Sequence, residues 1–310
     1  MSSRKTLAVV VPVYCNAETL PALDAAFAAV ERRLDKMGVD LSLVFVDDGS
    51  YDESLARLLE IRQRRSNARI VKLTRNFGAI NAVKTGFRFA EGDCFMAMAA
   101  DLQDPIDRIP EMVEHWLKGE RFVILVRHER DDPASTRLFA GLFNFAVRRL
   151  VFRDFPKGGF DVALMDKAFL PFMRESGKNV NPSLFSYSLG YKPHILFYRR
   201  EKRRHGKSKW NFAKKANYFI DSLLGFSIAP LRIAALVGLA VAVVSFAYGL
   251  LVVATTLIDG ARVPGFSALA VLVSFLCGTI LFVTGMIGEY VWRIFDQLSR
   301  RPEAVVDTVY

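Results

Sequence analysis

The stretch Met98–Pro105, MAADLQDP, closes the apolar run Cys94–Ala100 and packs Asp101, Gln103 and Asp104 into four residues. A buried strand that stops at a cluster of oxygen ligands is how an α/β sheet presents a site at the carboxyl ends of its strands. Oxygen ligands of this kind suit Mg²⁺ or Mn²⁺, which prefer carboxylate, carbonyl and water and are often shared with substrate phosphates. Alone, the stretch reads with equal weight as a strand followed by an Asp-Pro turn. The flanking sequence decides.

Upstream, Leu7–Val13 is a continuous apolar run that reads as a buried parallel strand. Thr19–Met37 carries apolar residues at helical spacing, with Gly38 as its stop. Leu41–Val46 is a second strand, closed by Asp47-Asp48-Gly49-Ser50. Ser54–Arg64 reads as helix, Arg69–Leu73 as a third strand, Asn81–Ala90 as helix and Cys94–Ala100 as the fourth strand. Strand and helix in strict alternation predict a mostly parallel sheet with right-handed crossovers. Three loops should then meet on one edge: Pro12, Tyr14 and Asn16 after strand one, Asp47 and Asp48 after strand two, Asp101 and Gln103 after strand four. There is no GxxxxGK[ST] loop, and no GxGxxG follows the first strand, which disfavours P-loop and dinucleotide chemistry. Carboxylates without a glycine-rich phosphate cradle imply that a divalent ion neutralises bound phosphates.

Downstream, the pattern is helix, a short strand at Phe122–Val126, a charged loop over Arg127–Asp132 and a Phe-rich helix. Gly158-Gly159-Phe160-Asp161 precedes Val162–Met165, so Asp161 stands at the start of a strand; an ordinary turn residue is the competing reading. Tyr191–Tyr198 is a further strand, followed by RREKRRHGKSKWNFAKK over Arg199–Lys215, the most basic segment of the chain. Such a run is a solvated face, a membrane-surface patch or a loop that closes over phosphate oxygens.

Ile233–Ile258 is free of charge for 26 residues and Phe266–Gly288 for 23. Each exceeds the ~20 residues that cross a bilayer core. The connector Asp259–Gly265 makes the pair a helical hairpin, and Asn211–Arg232 has the spacing of an interfacial amphipathic segment. Arg232, Arg293, Arg300 and Arg301 outweigh Arg262 of the connector, which predicts both termini and the large domain on the cytoplasmic side. The expected boundaries are 1–210 for the catalytic domain, 211–232 for the juxtamembrane segment, 233–258 and 266–288 for the spans, and 289–310 for a cytoplasmic tail. A channel or transporter is disfavoured because neither span has an interior ionisable residue.

The net charge of +10 is concentrated near the apolar runs, which fits an anionic membrane surface rather than nucleic acid. Cys15, Cys94 and Cys277 follow no CxxC pattern, so neither a disulfide framework nor a zinc site is expected. The four histidines are scattered.

With VPVY and AETL near the start, VDDGS, RNFG, ADLQDP, RRHGKSKW and the closing GEYVWRIFDQLSRRP, the chain resembles the polyisoprenyl-phosphate glycosyltransferases of glycosyltransferase family 2. These include the bactoprenol glucosyltransferases and dolichyl-phosphate mannose synthases. VDDGS marks the wider superfamily; ADLQDP with RxxRxxGxSK and the GEY…RP tail is more specific. The resemblance implies a GT-A type nucleotide-diphospho-sugar transferase domain with a two-helix transmembrane hairpin, in the inner membrane. It implies inverting transfer of a hexose from a nucleotide sugar to a polyprenyl phosphate, UDP-glucose before other UDP-hexoses and GDP-mannose, with Mg²⁺ or Mn²⁺ bridging the donor phosphates. By resemblance, Pro12, Tyr14, Asn16, Asp47, Asp48 and Lys84 hold the nucleotide sugar, and Asp101 and Gln103 serve the metal. Arg200, Arg203, Ser208 and Lys209 match the lipid-phosphate loop, and Asp161 the catalytic or orienting carboxylate beside Asp101. A homotetramer built by tail packing is open. Three departures stand out: Ala99 replaces the first acidic residue of the usual D-A-D-L-Q, Cys15 stands where Asn is common, and Asn16 stands where Glu often contacts the base. The competing reading is a nucleotide-sugar-binding membrane scaffold or sensor. A processive polysaccharide synthase would carry QxxRW and more helices, which are absent.

Overall fold

The computed structural model describes residues 4–129, 141, 144–177, 180–199, 225–227, 229–259, 265–299 and 301–310. The chain divides into two compact units, Met1–Leu223 with Pro302–Tyr310, and Leu224–Arg301.

The first unit is built on an eight-stranded sheet. In chain order its strands are β1 (Lys5–Val13), β2 (Val39–Asp47), β3 (Ala68–Leu73), β4 (Cys94–Ala97), β5 (Phe122–Glu129), β6 (Phe160–Asp166), β7 (His194–Arg199) and β8 (Val306–Val309). Their spatial order is β7-β5-β6-β4-β1-β2-β3-β8. β1 pairs in parallel with β2 and β4, β2 with β3, and β5 with β7. β6 runs antiparallel between β4 and β5, and β8 antiparallel along β3. The expected mostly parallel α/β sheet is therefore present, with the apolar run of β1 flanked on both sides as a continuous buried strand requires.

Helices α1 (Leu20–Lys36), α2 (Ser54–Arg64), α3 (Ala79–Phe89) and α4 (Ile109–Leu117) cover the sheet. In α1, Leu20, Leu23, Phe27, Val30 and Leu34 recur every three or four residues and are all buried, sharing one core with Leu7, Val9, Val11 and Phe45. Each such side chain contributes roughly 1.5–3 kcal/mol on burial. Gly38, at φ +72°, ends the helix in the left-handed conformation that glycine tolerates. α3 packs on the other set of side chains: Gly86 lies against Val10 and Val46, and Phe87 meets Phe95 edge-on at 5.2 Å. A side chain at Gly86 would collide with Val10, so this glycine sets how closely the helix approaches the strand.

Several boundaries differ from expectation. β5 runs on to Glu129, into what was expected as a charged loop from Arg127. β4 ends at Ala97 rather than Ala100, because Met98 N–H bonds Val10 O (3.0 Å) and the chain then turns into the Asp101–Asp104 loop. β7 begins at His194 rather than Tyr191. The end of the C-terminal stretch, expected as a tail, pairs with β3 as the edge strand β8.

The second unit holds two long helices, Ala229–Asp259 and Phe266–Leu298. Within them, Ala229–Leu251 and Phe275–Leu298 have mean hydropathies of 2.3 and 1.5, and the fraction buried is 6% and 0%. Two apolar helices that expose nearly all of their side chains to the surroundings differ from core helices of a soluble domain.

Candidate active site

The carboxyl ends of β1, β2 and β4 lie side by side, with Val13 opposite Asp47 and Val10 opposite Ala97. The loops after these strands are tied to one another. Asp48 N–H bonds Val13 O (2.8 Å), Cys15 N–H bonds Ser50 Oγ (3.0 Å), and Asn16 N–H bonds Ser54 Oγ (2.8 Å). Thr19 Oγ1 donates to Ala100 O (2.8 Å), joining the β1 loop to the β4 loop. Asn16 Oδ1 accepts from Tyr14 N–H (3.1 Å), so its side chain shapes its own turn. Pro12, Tyr14 and Asn16 are all half-buried.

The two aspartates of VDDGS are almost fully enclosed: Asp47 is 1% and Asp48 2% exposed. Their roles diverge. Asp48 accepts from Phe77 N–H (2.7 Å) and Gly78 N–H (2.9 Å), the residues that lead into α3, so the carboxylate holds that helix by its amino end. Asp47 Oδ1 accepts from Ser50 N–H (3.2 Å), while Oδ2 is buried with no hydrogen-bond partner among the described residues. Burial pushes both carboxyls above the usual carboxylate range; hydrogen bonds from Ser50 to Asp47, and from Phe77 and Gly78 to Asp48, act against it. Gly49, at φ +67°, makes the turn between these aspartates and Ser50, and a Cβ there would come within 2.7 Å of Arg75 Cα and Asn76 N.

In the β4 loop, Asp101 Oδ1 accepts from Gln103 N–H (3.2 Å), and Asp104 Oδ2 accepts from Ala99 N–H (3.0 Å). Asp101 and Gln103 are half-buried at the edge. Cys15 (φ 51°) and Leu102 (φ 59°) are the non-glycine residues with positive φ among the described residues, and both stand in these loops. Backbone strain of this kind, on the order of 1–3 kcal/mol each, concentrates at functional sites. A cleft of about 430 Å³ borders Leu102, Gln103, Asp104 and Tyr198.

Among the described residues no group of three or more His, Cys, Asp or Glu is arranged to hold a metal ion. Magnesium and manganese nevertheless bind commonly through one or two carboxylates with substrate phosphates supplying the rest. The all-oxygen pair Asp101 and Gln103 fits that manner of binding, and the methyl group of Ala99 supplies no ligand.

β6 antiparallel to β4 brings Met96 opposite Leu164, so the first residues of β6 run past the carboxyl end of β4. The backbone of Asp161 therefore stands at the same edge; its side chain lies outside the described residues. Arg200, Arg203, Ser208 and Lys209 lie outside them too.

Lys84, expected at the nucleotide sugar, has partners within the protein. It is 3% exposed within α3, and its ammonium donates to Gly177 O (2.8 Å) and pairs with Glu303. Burial pulls its pKa down and the Glu303 carboxylate opposes that shift.

Sequence reasoning gave no site role to Ser50, Ser54 and Thr19, which brace the loops, and counted Asp104 among the oxygen ligands, whereas its carboxylate also braces the β4 loop. The signal was a hydroxyl or carboxylate within a few residues of each motif, a pattern common to ordinary turns. Tyr51 was also missed. It is 84% exposed, and its ring meets Tyr14 edge-on at 6.0 Å.

The chain matches the family model for Glycosyl transferase family 2 over residues 8–170, from β1 to just beyond β6. It is 30% identical over 306 residues to the bactoprenol glucosyl transferase of Shigella phage SfII, covering 97% of each chain. It is 31% identical to the undecaprenyl-phosphate 4-deoxy-4-formamido-L-arabinose transferase of Pectobacterium atrosepticum, across 97% of this chain and 93% of that one. Among solved structures, the glucosyl-3-phosphoglycerate synthase of Mycobacterium tuberculosis, in complex with Mn²⁺, UDP-glucose and phosphoglyceric acid, shares the fold. It superposes with a TM-score of 0.52 at 17% identity, over 71% of this chain and 79% of that chain. The sheet, the three motif loops on its carboxyl edge and these likenesses agree: this chain is a glycosyltransferase and belongs to glycosyl transferase family 2.

Proposed function

We propose that this glycosyltransferase moves a hexose, with UDP-glucose as first candidate donor, from a nucleoside-diphosphate sugar to a polyprenyl phosphate at a membrane surface. The observation that carries the reading is the extent of the likeness. Similarity to bactoprenol and undecaprenyl-phosphate sugar transferases runs through the two apolar helices as well as the sugar-nucleotide domain. A lipid-linked acceptor explains why a chain with this catalytic unit carries apolar helices at all. The helices cross the membrane as a hairpin, with both termini on the cytoplasmic side, where nucleotide sugars are supplied.

The buried, unpartnered Oδ2 of Asp47 accepts a donor N–H from the base, and the Tyr14 ring packs beside it. Asp48 holds the loop into α3. Asp101 and Gln103 would hold Mg²⁺ or Mn²⁺, which would supply charge neutralisation to the donor diphosphate. Asp161 orients the acceptor, whose phosphate oxygen is already anionic and needs positioning more than deprotonation. Arg200, Arg203, Ser208 and Lys209 compensate the lipid-phosphate charge.

The test follows label from a panel of UDP- and GDP-sugars into solvent-extractable lipid, with and without Mn²⁺ or Mg²⁺, in membranes carrying the wild-type chain or Asp101→Asn. Label from one donor, lost in the variant, is expected. A second reading, donor binding without transfer, rests on Ala99 at a position where the resembled family has a carboxylate. Donor binding with no labelled lipid from any sugar selects it.

A further inference from the structure

The C-terminal segment Pro302–Tyr310 belongs to the catalytic unit, and three residues, Ser299–Arg301, join it to the end of the second apolar helix. β8 extends the sheet along β3, with Val71 opposite Val309, and Tyr310 exchanges both backbone hydrogen bonds with Ile70 (2.8 and 3.0 Å). Ahead of that strand, Glu303 is 12% exposed and reaches into the same unit to pair with Lys84; Arg88 lies 3.8 Å from its other oxygen. Lys84 is on α3, six residues after Gly78, or roughly 9 Å along the helix axis. Phe77 and Gly78 give the N–H groups that clamp Asp48.

We propose that the Lys84–Glu303 pair is a lock by which the C-terminal segment positions the donor site, with Lys84 a positioning residue that fixes α3 against Asp48. An 11-residue helix shifts as one hydrogen-bonded rod, so a displacement at Lys84 is carried to Phe77 and Gly78. Asp48 is buried beside Asp47, whose Oδ2 has no hydrogen-bond partner among the described residues, and any slackening of the Asp48 clamp disturbs both carboxylates. A buried pair is a weak source of net stability but a strong determinant of register, because breaking it strands a charge in the interior. The donor site is thereby complete only once the chain has returned from its apolar helices to the sheet.

The inference rests on the proposed nucleotide-sugar site, so its test reads donor binding apart from transfer. Affinity of the full-length chain in detergent for UDP and for GDP is measured directly, alongside donor and lipid-acceptor KM in membranes. Glu303→Gln should weaken nucleotide affinity and raise donor KM about tenfold, leaving the acceptor KM within about twofold. Glu303→Asp should recover most of the loss, and Asp307→Asn, which removes the exposed pair with Lys72, should change neither. The double variant Lys84→Met/Glu303→Leu removes the stranded charge and keeps the fold testable if Glu303→Gln unfolds; it should show the same donor defect. Unchanged nucleotide affinity in a folded Glu303→Gln or double variant overturns the lock. A defect in Lys84→Met that is absent from Glu303→Gln overturns it too, in favour of direct donor contact by Lys84. Failure of the wild-type chain to bind either nucleotide defeats the proposed function itself and the lock with it, whereas binding without transfer leaves the lock's outcome readable.

Discussion

The two edges of the sheet handle carboxylates in opposite ways. At the amino edge, Arg65 pairs with Asp24 and Glu31, Asn67 donates to Glu31, and Arg4 pairs with Asp35 and Asp40. Each of these acids has a side-chain partner. At the carboxyl edge, Asp48 is satisfied by backbone N–H groups and Asp47 keeps one buried oxygen unpartnered among the described residues. Cys15 and Leu102 hold left-handed backbone at that edge as well. One fold thus has an end where the named acids are paired and an end where a buried carboxylate oxygen lacks a partner among the described residues. On the proposed donor site, that unmet hydrogen-bonding capacity is stability forgone for binding.

The contrast sharpens or breaks under substitution. The largest effect is expected for Asp101→Asn, which should lower label incorporation into extractable lipid by about 1000-fold, since charge neutralisation at the diphosphate is a dominant contribution. Incorporation within tenfold of wild type would remove Asp101 from the reaction. Next, Gly49→Ala should destabilise the catalytic unit by about 3 kcal/mol and abolish nucleotide binding, because a left-handed turn meets the Arg75 backbone. Denaturant unfolding and UDP calorimetry read the two effects.

At the amino edge, Arg65→Ala should cost about 2 kcal/mol by removing the guanidinium that bridges Asp24 and Glu31, which keep only Arg64 and Asn67 respectively. Donor KM should stay within about twofold, because well-separated sites act independently. A tenfold rise in donor KM would show that the two edges are not independent. The smallest effect is expected for Asp47→Asn, with its sign reversed. Removing a buried charge should stabilise the fold by about 1 kcal/mol at neutral pH while nucleotide affinity falls. The sign follows from the raised pKa of Asp47. The folded state binds the proton more readily than the unfolded chain, so stability attributable to Asp47 is present at acid pH and is lost as pH rises through its raised value. The advantage of Asp47→Asn should therefore shrink as pH falls, which thermal unfolding at several pH values would read. An advantage that grows on acidification would contradict the burial argument.

Much of the catalytic half was legible because its signals are local. Leu7–Val13 is apolar without interruption and Leu41–Val46 is broken only by Ser42, close to what strands buried on both faces require, and α1 carries its apolar residues at helical spacing. The motif loops converge because parallel topology places every strand's carboxyl end on one side. Other features left no comparable trace. Val306–Val309 is four residues long with Asp307 inside it, and its strand character comes from the open edge of β3. Lys84 stands six residues past the RNFG motif, but helix phase turns it toward Glu303, more than 200 positions away in the chain.

By itself the sequence determined the alternation of strands and helices, the edge on which Asp47, Asp48 and Asp101 gather, and the two apolar helices. All of these follow from periodicity and from where a strand can end. Only the tertiary structure decided that Asp48 is spent on the loop into α3 while Asp47 keeps an open oxygen. It alone made the C-terminal segment an edge strand of the catalytic sheet and tied Lys84 to Glu303. The physical reason is that burial and partnering belong to the folded pair: a carboxylate acquires its role when a distant N–H or ammonium arrives, and no local pattern announces that partner.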